Sequence, residues 1–200
     1  DGLIPLKTLG TLSGVVIYVL SFLVERGDIS SRYYLLLFPL ISLAYMIKLY
    51  KKTELKPFTN IAYTFLGIFY IAVPFALLNH YKYEIILGSF LILWASDTGA
   101  YFAGTLFGKH KLFERISPKK SWEGFWGGAA LAIAMTFGLS LYFQSLSVVN
   151  WLIVALLIII GGTFGDLVES LLKRSMAIKD SGDSLPGHGG FLDRFDGLFI

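Results

Sequence analysis

Long apolar stretches alternate with short polar segments along the chain, which is typical of a protein that crosses a membrane several times. A helix needs about 20 mostly apolar residues to span a bilayer. Six stretches approach that length, and the loops between them are short, so we expect successive helices to cross in opposite directions. The predicted spans are Leu9–Val24, Tyr33–Leu49, Thr59–Asn79, Glu84–Phe107, Gly124–Phe143 and Trp151–Leu172.

The composition excludes an ordinary soluble domain. Of the 200 residues, 55% are hydrophobic and only 16% are charged, whereas about a quarter of the residues in soluble domains are charged. The mean hydropathy is +0.66. Because the chain has no cysteine and only 3 histidines, any metal site would depend mainly on oxygen ligands.

Basic residues are distributed unevenly between the two sides of the predicted bundle. Alternate crossing puts all but Arg26, Arg32 and Lys82 of the 17 lysines and arginines on one side, which the positive-inside rule makes cytoplasmic. We therefore predict an all-α, polytopic membrane helix bundle of about six transmembrane helices with a polar site on its cytoplasmic side. The chain starts at Asp1 and ends in an apolar run, so we expect a segment of a longer protein.

Two regions of different character are expected. Residues 1–83 carry little polar content and are predicted to be N-terminal transmembrane scaffold helices. Residues 84–200 are predicted to form a C-terminal catalytic region with cytoplasmic loops. Small residues four apart allow close helix packing, and they favour the tightest contacts in the last three spans. These pairs are Gly104 with Gly108, Gly124 with Gly128, and Gly161 with Gly165.

Acidic residues inside two spans are candidates for chemistry, because a carboxylate in hydrocarbon costs roughly 3 kcal/mol. Helical spacing puts Trp94, Asp97, Tyr101 and Gly104 on one face of the fourth span, which should line protein or water. The alternative for Asp97 is a helix–helix hydrogen bond that only stabilises the bundle. In the sixth span Asp166 shares a face with Glu169, Ser170 and Lys173, an arrangement that fits a cation site or an ion pair at the membrane edge.

The loop between the fourth and fifth spans is basic. We assign Lys109, Lys111 and Arg115 mainly to membrane topology and to contact with anionic headgroups. In Ser117–Ser121, Pro118 is expected to form a turn and Ser121 to cap the next helix. Lys119 and Lys120 would then stand near a helix N-terminus, which is a favourable position for phosphate.

The closing segment combines glycine with charge. In Pro186–Gly190 the backbone can adopt conformations that direct N–H groups at an anion. Asp193 and Asp196 follow, and together with Asp166 they could bind Mg²⁺, which commonly takes one or two carboxylates plus substrate phosphates. The residues alone therefore predict a phosphate-handling site at the bilayer surface.

Three stretches together carry a family resemblance. The longest runs from Ser170 to Asp196 and contains Lys173-Arg174, Lys179-Asp180 and the Pro186–Gly190 loop; the others are Asp97–Tyr101 and Ser117–Gly124. They resemble the phosphatidate cytidylyltransferase family, also called CDP-diacylglycerol synthases. Every constant position of the long motif is occupied, whereas the first half of the chain is similar only as generic spans.

The resemblance implies an integral-membrane enzyme that transfers a cytidylyl group from CTP to phosphatidic acid and releases pyrophosphate. It implies Mg²⁺ as cofactor, with a second cation left open. The implied partners are CTP, phosphatidic acid and membrane lipids, without nucleic acid, and a homodimer is expected. The expected location is a bacterial cytoplasmic membrane, with the active site on the cytoplasmic side.

The resemblance also implies roles for individual residues. Asp180 and His188 would order the closing loop within the catalytic set. The implied catalytic residues are Asp166, Lys173, Arg174, Lys179, Asp180, His188, Asp193 and Arg194. The implied substrate-binding residues are Asp97, Lys119, Lys120, Ser121, Ser170, Gly189 and Gly190. The implied metal ligands are Asp166, Asp193 and Asp196.

Other functions stay open at this point. A CTP-dependent lipid kinase would release CDP instead of pyrophosphate, and a CDP-archaeol-type synthase would use a different lipid. From another class, a transporter could use Asp97 and Asp166 to carry protons or cations. A transporter would not need the basic, glycine-rich closing loop.

Overall fold

The computed structural model of the protein describes residues 5–50 and 56–175, and most of these residues are helical. These residues form two compact units, one up to residue 81 and the other from residue 82 onward. The first contains α1 (Lys7–Glu25), a 3₁₀ segment (Ser31–Leu36), α2 (Leu37–Leu49), α3 (Pro57–Gly67), a π-helical segment (Ile68–Ala72) and α4 (Val73–Leu78). The second contains α5 (Tyr83–Phe107), β1 (Lys111–Phe113), β2 (Ser117–Ser121), α6 (Trp122–Tyr142) and α7 (Val148–Ser175).

Within the described residues, five helices are long and apolar enough to cross a membrane. They are Lys7–Glu25, Pro57–Leu78, Tyr83–Phe107, Trp122–Tyr142 and Val148–Val168. They match five of the six predicted spans and confirm the all-α, polytopic membrane class.

The second predicted span differs from expectation. Residues 33–49 form the end of the 3₁₀ segment and then α2, which has only 13 residues and is about 20 Å long. Pro39 lies in the first turn of α2, where its missing N–H is tolerated but its ring hinders an α-helix from continuing upstream. The stretch is therefore shorter than the other spans.

Polar side chains join segments of the first unit. Ser21 Oγ on α1 donates to the Ala76 carbonyl of α4 at 2.6 Å. Thr64 Oγ1 on α3 accepts the Leu6 N–H at 2.9 Å and donates to the Asn60 carbonyl at 2.8 Å. Such bonds satisfy polar groups that lipid cannot.

Glycines bring the backbones of α5 and α6 into contact. A Cβ atom added at Gly99 would lie 2.6 Å from the Gly127 carbonyl oxygen, and one at Gly124 would lie 3.3 Å from the Gly104 Cα. One at Gly128 would lie 2.7 Å from the carbonyl oxygen of a residue on α5. The predicted packing roles of Gly104, Gly124 and Gly128 are confirmed, and the contact of Gly99 with Gly127 adds to them.

Helix α7 completes the core of the second unit. Trp151 near its start is fully buried, and its indole N–H donates to the Phe143 carbonyl at 3.5 Å. The indole fits against Gly88 of α5, where a side chain would collide with it. The core residues are Ile92, Ala129, Ala132, Leu139, Trp151, Ala155 and Ile159.

A short antiparallel hairpin connects α5 to α6, and the sequence did not predict it. Lys111 is paired with Ser121, and Phe113 with Ser117. Pro118 lies inside β2, so the predicted turn at Pro118 is wrong. A proline is tolerated there because both strands of a two-stranded hairpin are edge strands.

Candidate active site

The second unit contains a cavity of about 350 Å³ between α5, the hairpin, α6 and α7. Its apolar lining residues include Leu93, Phe125 and Ile158. Its polar side chains come from three elements, α5, the hairpin and α7. Its polar lining residues are Ser96, Asp97, Tyr101, Lys119, Lys120, Ser121, Thr163 and Asp166. The cavity can therefore receive a molecule with both an ionic and an apolar portion.

Lys120 connects the hairpin to α7. Its ammonium forms an ion pair with the Asp166 carboxylate and donates to the Thr163 carbonyl at 3.3 Å. The side chains of Lys120 and Asp166 are 27% and 39% exposed, so neither is fully removed from solvent. Thr163 lies one turn before Asp166, and a half-buried ammonium thus finds two acceptors on one helix face.

A second carboxylate lies close to this pair. Asp97 of α5 lines the same cavity and is within electrostatic range of both Asp166 and Lys120. The position of Asp97 follows from the glycine contacts, because they bring this part of α5 against α6. Tyr101 and Gly104 line the cavity as the helical spacing predicted. Trp94 is 61% exposed and is not among the lining residues, so the cavity does not extend to it.

The N-terminus of α6 lies at the end of β2. Ser121 is buried, and its Oγ accepts the Gly124 N–H at 3.2 Å, which confirms the predicted cap. Lys119 and Lys120 immediately precede it and both line the cavity. Two ammonium groups therefore stand beside the positive end of a helix dipole, a combination that attracts anions.

Many of the predicted site residues lie outside the cavity lining or outside the part of the chain that the structure describes. Ser170 is half-buried on α7 and is not among the cavity-lining residues. Lys173 and Arg174 belong to the last turns of α7, but their side chains are not described. The following predicted residues lie outside the described part of the chain: Lys179, Asp180, His188, Gly189, Gly190, Asp193, Arg194 and Asp196.

The carboxylates of the cavity are suited to Mg²⁺. Asp97 and Asp166 offer carboxylate oxygens in one cavity, and Mg²⁺ commonly takes one or two carboxylates and completes its shell with water and phosphate oxygens. Residues 5–50 and 56–175 contain no cluster of three or more acidic or histidine side chains suited to a metal. The cavity therefore fits a cation that takes its protein ligands from these carboxylates and its other ligands from water and a substrate phosphate.

The sequence patterns did not reveal three residues that hold the cavity and its hairpin in place. The Thr163 carbonyl binds Lys120, and its position one turn before Asp166 is the signal that could have revealed it. No role was predicted for His110 or Glu123. In the structure, the His110 ring Nδ1 lies 2.7 Å from Glu123 Oε1. A glutamate in the first turn of a helix, two residues after its cap, was the available signal for this pair.

Comparison with known proteins places these features in a family. The model of the "Cytidylyltransferase family" matches residues 4–200. A phosphatidate cytidylyltransferase of Staphylococcus saprophyticus is 42% identical over 148 residues, which cover 72% of this chain and 56% of that protein. Proteins of the same name from Staphylococcus aureus and Staphylococcus epidermidis are 40% and 42% identical over the same length. The matched part of the chain thus spans a little more than half the length of these relatives.

Proposed function

The chain belongs to the cytidylyltransferase family, and from that premise we propose that the whole protein is an integral-membrane phosphatidate cytidylyltransferase. Its substrates would be CTP and phosphatidic acid, and its products CDP-diacylglycerol and pyrophosphate. The relatives that share about 40% identity carry that name. The observation that carries the proposal is one cavity containing two carboxylates, two lysines and an apolar wall.

The proposed reaction joins two anions. An oxygen of the lipid phosphate forms a bond to the α-phosphorus of CTP, and the bond from that phosphorus to the bridging oxygen of the β-phosphate breaks. Pyrophosphate leaves with the electron pair. The chief difficulty is repulsion between phosphates, so positive charge placed in advance stabilises the transition state.

The residues of the cavity match these needs. Lys119 and Lys120 would bind phosphate oxygens, and Ser121 would hold the N-terminal turn of α6 so that its N–H groups face the same region. The apolar wall would receive the first part of an acyl chain. Lys120 would keep contact with α7 through Thr163 when a phosphate competes for its ammonium.

Asp166 is the first candidate for holding Mg²⁺, with Asp97 beside it and with Asp193 and Asp196 from the closing segment. When bound, the cation supplies positive charge beside the phosphates. Lys173, Arg174, Lys179 and Arg194 would add further phosphate contacts, and Asp180 and His188 would order the loop. Ser170, Gly189 and Gly190 complete the proposed substrate-binding set.

The surroundings of the site belong to the same proposal. Alternate crossing by all six predicted spans would put most lysines and arginines on one side, and the positive-inside rule would make that side, and the site on it, cytoplasmic. We propose a bacterial cytoplasmic membrane as its location and a homodimer as its assembly. A second cation next to Mg²⁺ stays part of the hypothesis.

The decisive experiment measures pyrophosphate release from CTP by the full-length protein in detergent–lipid micelles, with and without phosphatidic acid. We expect release only when Mg²⁺, CTP and phosphatidic acid are all present, together with a CDP-lipid product. Release of CDP from labelled CTP would indicate a lipid kinase instead. Cation flux in proteoliposomes without CTP, in the absence of any CTP turnover, would replace the proposal with a transporter.

A further inference from the structure

The base of the hairpin is closed by two residues with no assigned role. The Glu123 carboxylate accepts the His110 backbone N–H, with both of its oxygens at 3.2 Å. The His110 ring Nδ1 lies 2.7 Å from Glu123 Oε1 and donates to it. The Trp122 N–H in turn donates to the His110 carbonyl at 2.9 Å. We call the His110–Glu123 pair the hairpin clamp.

The clamp is supported by its position in the fold. Glu123 lies in the first turn of α6, where the helix dipole favours a negative charge, and its side chain is 25% exposed. His110 is 79% exposed and contributes little packing. The bonds between them involve an ionised acceptor and are stronger than neutral ones. Their main effect is to join the entry of the hairpin to its exit.

Two further contacts hold the hairpin against α7. The Phe113 ring packs edge-on against Phe164 with 6.4 Å between ring centres. Lys120 has its own contacts with Asp166 and Thr163. The position of Lys119 depends instead on the hairpin backbone, whose two ends the clamp joins.

We propose that His110 and Glu123 are positioning residues, which hold the hairpin so that Lys119 faces a phosphate of the nucleotide in the cavity. The inference rests on the proposed function, because it takes CTP as the ligand of Lys119. Neither residue is among those lining the cavity, so both act through the hairpin. Loss of the clamp should weaken nucleotide binding more than it slows the chemical step.

The kinetic test compares Glu123→Ala, Glu123→Gln and His110→Ala in the full-length protein. We expect KM for CTP to rise by up to about tenfold in Glu123→Ala, with kcat within about twofold of wild type. Glu123→Gln should be milder because its amide oxygen still accepts one N–H. His110→Ala should also be milder, since its backbone N–H is retained.

The matched control is Glu114→Gln, which makes the same chemical change in the same hairpin. Glu114 is exposed and is not among the cavity-lining residues, so its KM should stay at the wild-type value. In a double-mutant cycle, His110→Ala should have little additional effect once Glu123 is alanine, because the pair acts as a unit. Glu123 variants that match Glu114→Gln in both KM and kcat would overturn the proposal, as would full additivity of the two substitutions.

A second measurement needs no turnover. Hydrogen exchange should become faster at the amides of residues 111–121 in Glu123→Ala and stay unchanged in the middle of α6. Unchanged exchange in the hairpin would overturn the clamp even if the enzyme is active. If Glu123→Ala shows faster exchange in the hairpin but the wild-type protein has no cytidylyl-transfer activity, the clamp is supported and CTP is rejected as the ligand of Lys119. If Glu123→Ala does not fold, His110→Ala serves in both measurements, since its side chain is mostly exposed.

Discussion

The two units of the chain bury polar groups in opposite ways. In residues 5–81, Ser21 and Thr64 each bind a backbone group of a neighbouring segment, and those bonds hold helices together. In residues 82–175, Asp97, Lys120 and Asp166 converge on one cavity instead. In the first unit, polar side chains bind backbone groups and stabilise the packing. In the second unit, several charged side chains line the same cavity, and this grouping indicates a binding site.

The cavities of the two units differ in the same way. The first unit contains one of about 640 Å³ and one of about 390 Å³, both lined mainly by apolar side chains. The cavity described above in the second unit measures only about 350 Å³, but its lining includes the charged side chains of Asp97, Lys119, Lys120 and Asp166. Volume is therefore a poor guide to the site in a membrane protein, since apolar grooves between helices are normally filled by lipid. Charge inside a helix bundle is the better guide, because it is costly to maintain there.

The strongest test of this contrast substitutes one carboxylate in each unit. Asp166→Asn should lower pyrophosphate release by at least about 100-fold, because it removes a candidate cation ligand and the partner of Lys120. Asp28→Asn is the matched control, since Asp28 pairs with Arg26 on an exposed surface. Release should be assayed on protein that elutes as a folded species in detergent. Near-normal release by Asp166→Asn would remove Asp166 from the site.

Packing provides the next test. Gly99→Ala should destabilise the second unit by about 1–3 kcal/mol, because its Cβ would meet the Gly127 carbonyl oxygen at 2.6 Å and force the helices apart. Gly67→Ala in the first unit has nothing within 4 Å of its Cβ and should stay within about 1 kcal/mol of wild type. Thermal unfolding in detergent measures both. Equal stability of the two variants would contradict close packing of α5 on α6.

Lysines lining cavities in the two units should differ in their effect on nucleotide use. Lys119→Ala should raise the CTP concentration required for half-maximal rate by about tenfold, since one phosphate contact is lost. Lys7→Ala changes a lysine that lines the 640 Å³ cavity of the first unit and should leave that concentration unchanged. Initial rates over a range of Mg-CTP concentrations make the comparison. An unchanged CTP dependence in Lys119→Ala would remove that lysine from the proposed site.

Helix capping gives the smallest expected difference. Ser121→Ala leaves the Gly124 N–H without its acceptor in a buried position and should cost about 1 kcal/mol. Ser30→Ala in the first unit removes an exposed, longer hydrogen bond of 3.4 Å to the Arg32 N–H. It should lower the free energy of unfolding by only a few tenths of a kcal/mol. Chemical unfolding monitored by tryptophan fluorescence can compare them. A larger loss from Ser30→Ala would reverse the ranking.

The helical pattern and part of the site were predictable for specific reasons. Five spans follow directly from runs of apolar residues, because lipid admits few alternatives to a helix. Asp97 and Asp166 were recognisable since charge inside an apolar span is costly, and Lys119 and Lys120 since they precede a helix cap. The short α2 was harder to foresee, because its apolar composition matches that of a longer span and the effect of Pro39 is local. The roles of the closing segment stay predictions, as those residues lie outside the described ranges.

Apolar runs and local motifs were enough to recognise a membrane helix bundle of the cytidylyltransferase family and the residue types suited to phosphate. Three features became visible only in the folded chain: Asp97, Lys120 and Asp166 share one cavity, Pro118 lies in a strand, and His110 binds Glu123. The difference arises from separation along the chain. Apolar runs and caps are local patterns, whereas the Lys120–Asp166 ion pair joins residues 46 positions apart and forms only when the hairpin packs against α7.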